Sequence, residues 1–150
     1  MIAMGTPLDG REAIARLVPH AGRMCLWQCV RGWDARSIRL QAHDHGDDAH
    51  PLRHGGRLHA VHLAEYGAQA MAVHGGLRAQ LTGGAARPGL LVALRGLVLH
   101  RDRIDDLAGP LDGEAEVLVE GDTGWQYAFA IRHDGLLLAE GRAAVIHPRT

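Results

Sequence analysis

Glu65 and Gln69 stand four residues apart in His59-Ala-Val-His-Leu-Ala-Glu-Tyr-Gly-Ala-Gln-Ala-Met-Ala-Val73, a stretch that is apolar on nearly every helical face. A helix that is apolar all round is usually buried. A carboxylate inside it costs free energy unless it is paired, neutral or at work. Burial raises a carboxyl pKa, and a carboxyl kept protonated near neutral pH is a general acid. Its complement is a histidine base, because an unperturbed imidazole titrates near ~6.5. The loop just upstream offers His50, His54 and His59. The competing reading is a structural carboxylate capped by backbone or arginine.

Other chemistry is poorly served. His43-Asp44-His45-Gly46-Asp47-Asp48 nearly matches the HxHxDH pattern of metallo-β-lactamase-like hydrolases, but Asp48 stands where the final histidine belongs. His59, His62 and Glu65 share one helical face, yet ligands on one short face rarely complete a tetrahedral shell. No metal is expected at either place. Ser37 is the sole serine and has no Gly-x-Ser-x-Gly context. The chain has no lysine, which removes Schiff-base, pyridoxal-phosphate and Walker-type phosphate-loop chemistry.

Composition bounds the rest. The 150 residues suffice for one domain with a real core. A hydrophobic content of 47% and a formal net charge of −1 favour neither disorder nor a nucleic-acid-binding tail. No run approaches the ~18 apolar residues of a membrane span, and Asp9, Arg11 and Glu12 interrupt any signal-peptide core. Cys25 and Cys29 are expected on one face of a strand, too far apart along it to bond, as reduced thiols of a cytoplasmic protein.

The elements that must position Glu65 follow from periodicity. Residues 1–14 form an expected lead-in, with a short helix over Glu12–Leu17 that Pro19 ends. Strands are expected at Met24–Val30 and Ser37–Ala42, joined by a turn over Arg31–Ala35. A polar loop, His43–Gly56, leads to the apolar helix from about Ala60 to about Gln80, and Thr82–Gly89 is a Gly/Pro/Ala loop. Strands follow at Leu90–His100, Gly113–Glu120, Trp125–Arg132 and Leu136–Ile146, with His133-Asp134-Gly135 as a hairpin turn. Strands, one long buried helix, then a meander make an α+β chain. A helix apolar all round must be wrapped by the sheet, so residues 15–150 are expected to form a single hotdog domain.

At this point the motifs carry a resemblance. His50-Pro-Leu-Arg-His-Gly-Gly-Arg-Leu58-His59-Ala60-Val61-His-Leu-Ala-Glu65-Tyr-Gly-Ala-Gln69 resembles the catalytic stretch of hotdog β-hydroxyacyl-acyl-carrier-protein dehydratases. That stretch runs from a His-Phe-Pro segment through a Met-Pro-Gly helix entrance to Glu-Ala-x-Ala-Gln. Leu17-Val-Pro19-His20-Ala-Gly-Arg23-Met24-Cys-Leu-Trp-Gln28-Cys-Val30 is similar to their Leu-x-Pro-His segment, with Gln28 in place of Asp. Gly89–Leu99 resembles their long strand after the helix. Gly56-Arg57-Leu58, Glu65-Tyr66-x-Ala68-Gln69-Ala70-Met71-Ala72 and Ala139-Glu140-Gly141-Arg142-Ala143 look most like the aryl-polyene-type 3-hydroxyacyl-carrier-protein dehydratases. The departures are His59-Ala60 at the family's Pro-Gly entrance and one extra loop residue, which leaves His54 as an alternative to His50.

The resemblance implies dehydration of 3-hydroxyacyl thioesters, carried on phosphopantetheine, to trans-2-enoyl thioesters in fatty-acid or polyene synthesis, with no further cofactor. His50, or His54, would take the C2 proton, and Glu65 would assist departure of the hydroxyl. N–H groups at Ala60 and Val61 would face the thioester oxygen. Gln69 and His59 would line the substrate path. It further implies an acyl carrier protein as partner, with Arg87, Arg95, Arg101 and Arg103 as candidate contacts, and a homodimer or a heterodimer with another hotdog chain. A hotdog acyl thioesterase and a non-catalytic hotdog subunit are the alternatives.

Overall fold

The computed structural model describes residues 7–18, 22–81, 83 and 90–146. In chain order these form β1 (Leu8–Asp9), α1 (Arg11–Ala15), a 3₁₀ turn (Gly22–Met24), β2 (Cys29–Trp33) and β3 (Ser37–Ala42). A second 3₁₀ turn (Ala60–His62) then runs into α2 (Leu63–Leu81). Four long strands follow: β4 (Leu90–Leu99), β5 (Leu111–Glu120), β6 (Gly124–His133) and β7 (Leu136–Ile146). The strands make one antiparallel sheet in the order β1-β2-β3-β5-β6-β7-β4. This is the α+β hotdog arrangement expected from the sequence.

The sheet packs on α2 through β3, β5, β6 and β7, and no residue from His62 to Ala79 is fully exposed. β5 shows why the sheet has an inside. Leu111, Gly113, Ala115 and Val117 are buried, while Asp112, Glu114, Glu116 and Leu118 point to solvent. That is the two-residue period of a half-buried strand. Two glycines let large rings approach closely. A Cβ at Gly113 would lie 2.2 Å from the Trp27 ring, and one at Gly67 of α2 would lie 2.5 Å from Phe129. The hairpin expected at His133-Asp134-Gly135 forms with both central residues at positive φ, 48° and 80°, the geometry that two-residue hairpins favour.

Three expectations are corrected. The strand expected from Met24 begins instead at Cys29 and continues through Trp33, so only Asp34–Arg36 turn. Residues 25–28 lie outside the ladder, and Leu26 gives its N–H to a helix side chain instead of to a strand. Cys25 and Cys29 therefore do not share a strand face; Cys25 is buried before it and Cys29 is half-buried within it, both as free thiols. The ordered domain also begins well before residue 15. Leu8 and Asp9 pair with Val30 and Cys29, and Ile14 is fully buried. No helix among the described residues is long and apolar enough to cross a membrane.

Burial extends to several histidines. His74 on α2 is fully buried; its Nε2–H donates to the Asp34 carbonyl at 2.8 Å, so its Nδ1 accepts from the Tyr127 hydroxyl at 2.7 Å. His45 donates from Nε2 to the Leu107 carbonyl at 2.8 Å. Burial pushes His45, His50 and His74 below the ordinary imidazole value. Unfolded, these groups take up protons near ~6.5, so the unfolded chain binds more protons as pH falls past that point. Stability is full above it and declines toward the lower folded values. Denaturant midpoints should fall between pH 7.5 and pH 5 (roughly the window set by ordinary imidazole titration). A midpoint that stays flat across that window contradicts this assignment.

Candidate active site

The helix entrance is fixed by backbone. Ile104 N–H donates to the Leu58 carbonyl at 3.0 Å, and Ala60 N–H to the Asp102 carbonyl at 2.8 Å. His59 and Arg103 face each other as an isolated bridge. Asp105 reinforces this seam. It accepts Leu58 N–H at 2.9 Å and pairs with Arg103, which holds its carboxyl well below the usual range. His59 caps the helix, with Nδ1 accepting Val61 N–H at 2.9 Å. Both donors expected to face a thioester oxygen are thus engaged, Ala60 by backbone and Val61 by the exposed His59 ring.

About two turns further along, Gln69 is 1% exposed and makes three polar contacts. Its Oε1 accepts Leu26 N–H at 2.8 Å, and its Nε2 donates to the Met24 carbonyl at 2.8 Å and to Glu65 Oε1 at 3.2 Å. Gln69 therefore pins the Met24–Leu26 segment to α2 and orients the Glu65 carboxyl. Contrary to the expectation of enclosure, Glu65 is half-buried in the single chain, because it lies on the flank of α2 beside that segment. His62 lies one turn before it. Burial and nearby His59 push His62 below its ordinary value, and the Glu65 charge opposes them.

Of the two loop histidines, the structure brings His50 to the helix. His54 is exposed in a tight turn with Arg57, through Gly55 and Gly56 at positive φ of 58° and 76°. His50 is 3% exposed. Its Nδ1 accepts Leu52 N–H at 3.2 Å, and its Nε2 lies 3.0 Å from the Tyr66 hydroxyl. An N–H can only donate, so Nδ1 presents its lone pair. Neutral His50 then carries its proton on Nε2 and donates to Tyr66. Burial lowers the His50 pKa, and the charge of Asp44 works against that.

Tyr66 is the residue that sequence reasoning missed. It is fully buried, its ring meets Trp27 edge-on at 5.3 Å, and Trp27 Nε1 donates to its carbonyl at 2.8 Å. Its phenol is pushed up by burial and by Asp44. Adjacent residues on a helix point ~100° apart, so α2 presents Tyr66 to the histidine loop and Glu65 to the neighbouring flank.

The loop that suggested a metal makes several contacts with the rest of the fold. Asp44 pairs with Arg11, Asp47 with Arg23, and His45 with the Leu107 carbonyl. Among the described residues no three His, Cys, Asp or Glu groups are placed to hold an ion. Arg101 and Arg103 pair with Asp106 and Asp105. Arg95 is exposed on β4. Arg87, like Pro19 and His20, lies outside the described residues.

The ApeP-like family, described as ApeP dehydratase, matches residues 12–150. The chain belongs to the ApeP-like dehydratase family. Among solved structures, the dehydratase heterocomplex ApeI:P from Xenorhabdus doucetiae aligns with a TM-score of 0.81 at 21% identity, covering 91% of each chain. AziG from S. sahachiroi aligns at 0.65 and 17%, covering 90% of this chain and 100% of that one. Zebra fish thioesterase superfamily member 2 aligns at 0.64 and 19%, covering 92% and 93%. At such identities these likenesses show the fold alone. No match was found among curated proteins.

As an ApeP-like dehydratase, the chain performs elimination of water, and Glu65 and His50 are its candidate acid and base. Tyr66→Phe deprives the buried His50 Nε2–H of its acceptor, which costs about 1–3 kcal/mol. Denaturant unfolding should show that loss, and ¹⁵N spectra of the wild type should show the His50 proton on Nε2. An unchanged unfolding midpoint contradicts the pairing.

Proposed function

We propose that this ApeP-like dehydratase removes water from a 3-hydroxyacyl chain held as a thioester on the phosphopantetheine arm of a carrier protein, with Glu65 as acid and His50 as base. The observation that carries this reading is the Gln69 amide. It ties Glu65 to the wall segment of the fold, one residue from the tyrosine that holds the loop histidine.

The lowered pKa keeps His50 neutral, and therefore basic, at neutral pH. Because Nε2 carries the proton toward Tyr66, the basic atom is Nδ1. The long bond from Leu52 N–H must give way when Nδ1 takes the C2 proton. The electron pair left at C2 forms the C2–C3 double bond as the C3–O bond breaks. The Glu65 proton goes to the departing oxygen, and water leaves. Val61 N–H, once the exposed His59 ring swings aside, is the donor closest to the helix start for the thioester oxygen. The half-buried Glu65 flank is what a second hotdog chain would enclose, and the solved ApeI:P heterocomplex supports pairing of that kind. Aryl-polyene-type chains are the substrate class the family membership supports.

Incubation with a 3-hydroxyacyl carrier protein should give a product lighter by about 18 daltons, the mass of the water expelled in acid–base elimination. Glu65→Gln should reduce that conversion about 10²–10⁴-fold. Release of free acid without the mass loss would overturn dehydration in favour of thioester hydrolysis. Full conversion by Glu65→Gln would remove the acid assignment.

A further inference from the structure

His50 is buried, and acting as the base would leave it positively charged. Taking the C2 proton on Nδ1 gives an imidazolium with a proton on each nitrogen. A buried cation is costly unless a counter-charge stands near it. Neither direct contact of the ring supplies one. Tyr66, on the Nε2 side, is a phenol that burial and Asp44 push up, so it stays neutral. The Leu52 N–H, on the Nδ1 side, is a donor.

The counter-charge must come from the loop itself, which two successive turns draw together. Asp47 N–H donates to the Asp44 carbonyl at 3.0 Å, and His50 N–H to the Asp47 carbonyl at 3.0 Å. Both carboxyl oxygens of Asp47 are committed, Oδ1 to Ala49 N–H and Oδ2 to Arg23, each at 2.9 Å. Asp44 differs. Its side chain is 12% exposed, Arg11 of α1 takes Oδ2, and Oδ1 is buried with no hydrogen-bond partner among the described residues. A buried acceptor left unfilled costs free energy and calls for a reason. Arg11 is anchored as well, since its Nε donates to the Cys25 carbonyl at 3.1 Å. The other titratable neighbours are His45 and His62, which burial holds below the ordinary imidazole value and therefore neutral at neutral pH. Burial disfavours a charged His50, and of the surrounding charges Asp44 opposes it most; Arg11 acts the other way and more weakly.

We propose that Asp44 is a positioning residue for the elimination: its unfilled carboxylate oxygen supplies the counter-charge for the imidazolium that His50 becomes when it takes the C2 proton. The inference rests on the reading of His50 as the base. Asp44 itself takes no proton. The C2 proton stays on Nδ1, the original proton stays on Nε2 toward Tyr66, and the negative charge of Asp44 lowers the energy of that doubly protonated ring. Arg11 keeps the carboxylate in place by holding Oδ2, which leaves Oδ1 open. The orphaned oxygen thus costs stability in the resting protein and is repaid when the positive charge forms. Such groups act where charge develops, without having to reorganise at the moment of reaction.

The test is a ¹⁵N titration of the His50 ring in the full chain, beside the pH profile of kcat/KM, in Asp44→Asn, Asp44→Glu and Arg11→Gln. Without the negative charge the imidazolium is less stable, so its pKa falls. Asp44→Asn, which keeps the shape and still accepts from Arg11, should therefore move the His50 midpoint and the acid limb of kcat/KM together to lower pH, by about one unit. Its kcat should fall up to about tenfold, with KM little changed. Arg11→Gln breaks the same ion pair but leaves the carboxylate, and should move both to higher pH. Asp44→Glu should restore most of kcat. Thermal unfolding checks that each variant folds; if Asp44→Asn does not, the opposite shift in Arg11→Gln carries the test. An Asp44→Asn midpoint that stays in place overturns the inference even where activity falls, since a structural role alone lowers activity. An Arg11→Gln midpoint that moves to lower pH also overturns it. The reading of His50 as base fails separately, through a His50→Ala variant that dehydrates like the wild type.

Discussion

A helix face buried against a sheet leaves no room for a polar side chain without partners, and in this protein that constraint is met chiefly at Gln69. One amide satisfies a backbone donor and a backbone acceptor of the Met24–Leu26 segment, and its remaining hydrogen reaches Glu65. Leaving a buried amide unpaired costs free energy of the order of the bonds themselves. The register between helix and wall segment is therefore fixed, and with it the position of the carboxyl. The segment is kept out of the sheet ladder for the same reason, since its backbone groups go to the helix. His74, one face further along α2, repeats the principle with Tyr127 and the Asp34 carbonyl. The helix is held by a few directional bonds set in an apolar surround.

That surround also explains how one helix serves two sides of a site. Tyr66 takes the histidine loop and Glu65 the open flank, separated by the ordinary rotation per residue. The candidate acid and base are thus served by neighbouring faces of the helix. The cost is that neither donor at the helix entrance stands free in the single chain. Ala60 N–H is committed to Asp102, and Val61 N–H is covered by the exposed His59 ring.

Much of this was legible in the sequence because it is periodic. The alternation of β5, the all-round apolar character of residues 60–80 and the Asp134-Gly135 turn each carry their own local signal, and from them came the wrapped-helix architecture. The dehydratase motifs then pointed to Glu65, Gln69 and His50 as candidates. What stayed hidden is long-range. The bond from Leu26 N–H to Gln69 spans 43 residues and holds an apolar stretch outside the ladder, so periodicity places the strand too early. Tyr66 reads as a core aromatic until His50 is seen against it. Ile14 looks like part of a lead-in, because nothing local announces that Leu8 and Asp9 pair with β2. In the near-match to a metal motif at residues 43–48, Asp44 and Asp47 pair with Arg11 and Arg23, partners outside the motif that no local pattern announces.

The central claim is that the Gln69 amide both fixes the helix against its wall and positions the carboxyl proposed as the acid. Replacing it by an apolar side chain of similar length, Gln69→Met, with stability and turnover measured on the same preparation, tests both halves together. Loss of about 1–3 kcal/mol in unfolding free energy, with kcat reduced about tenfold or more and KM little changed, is the result this account requires. Stability lowered with kcat intact would contradict it, leaving Gln69 as a structural clamp and Glu65 positioned by something else.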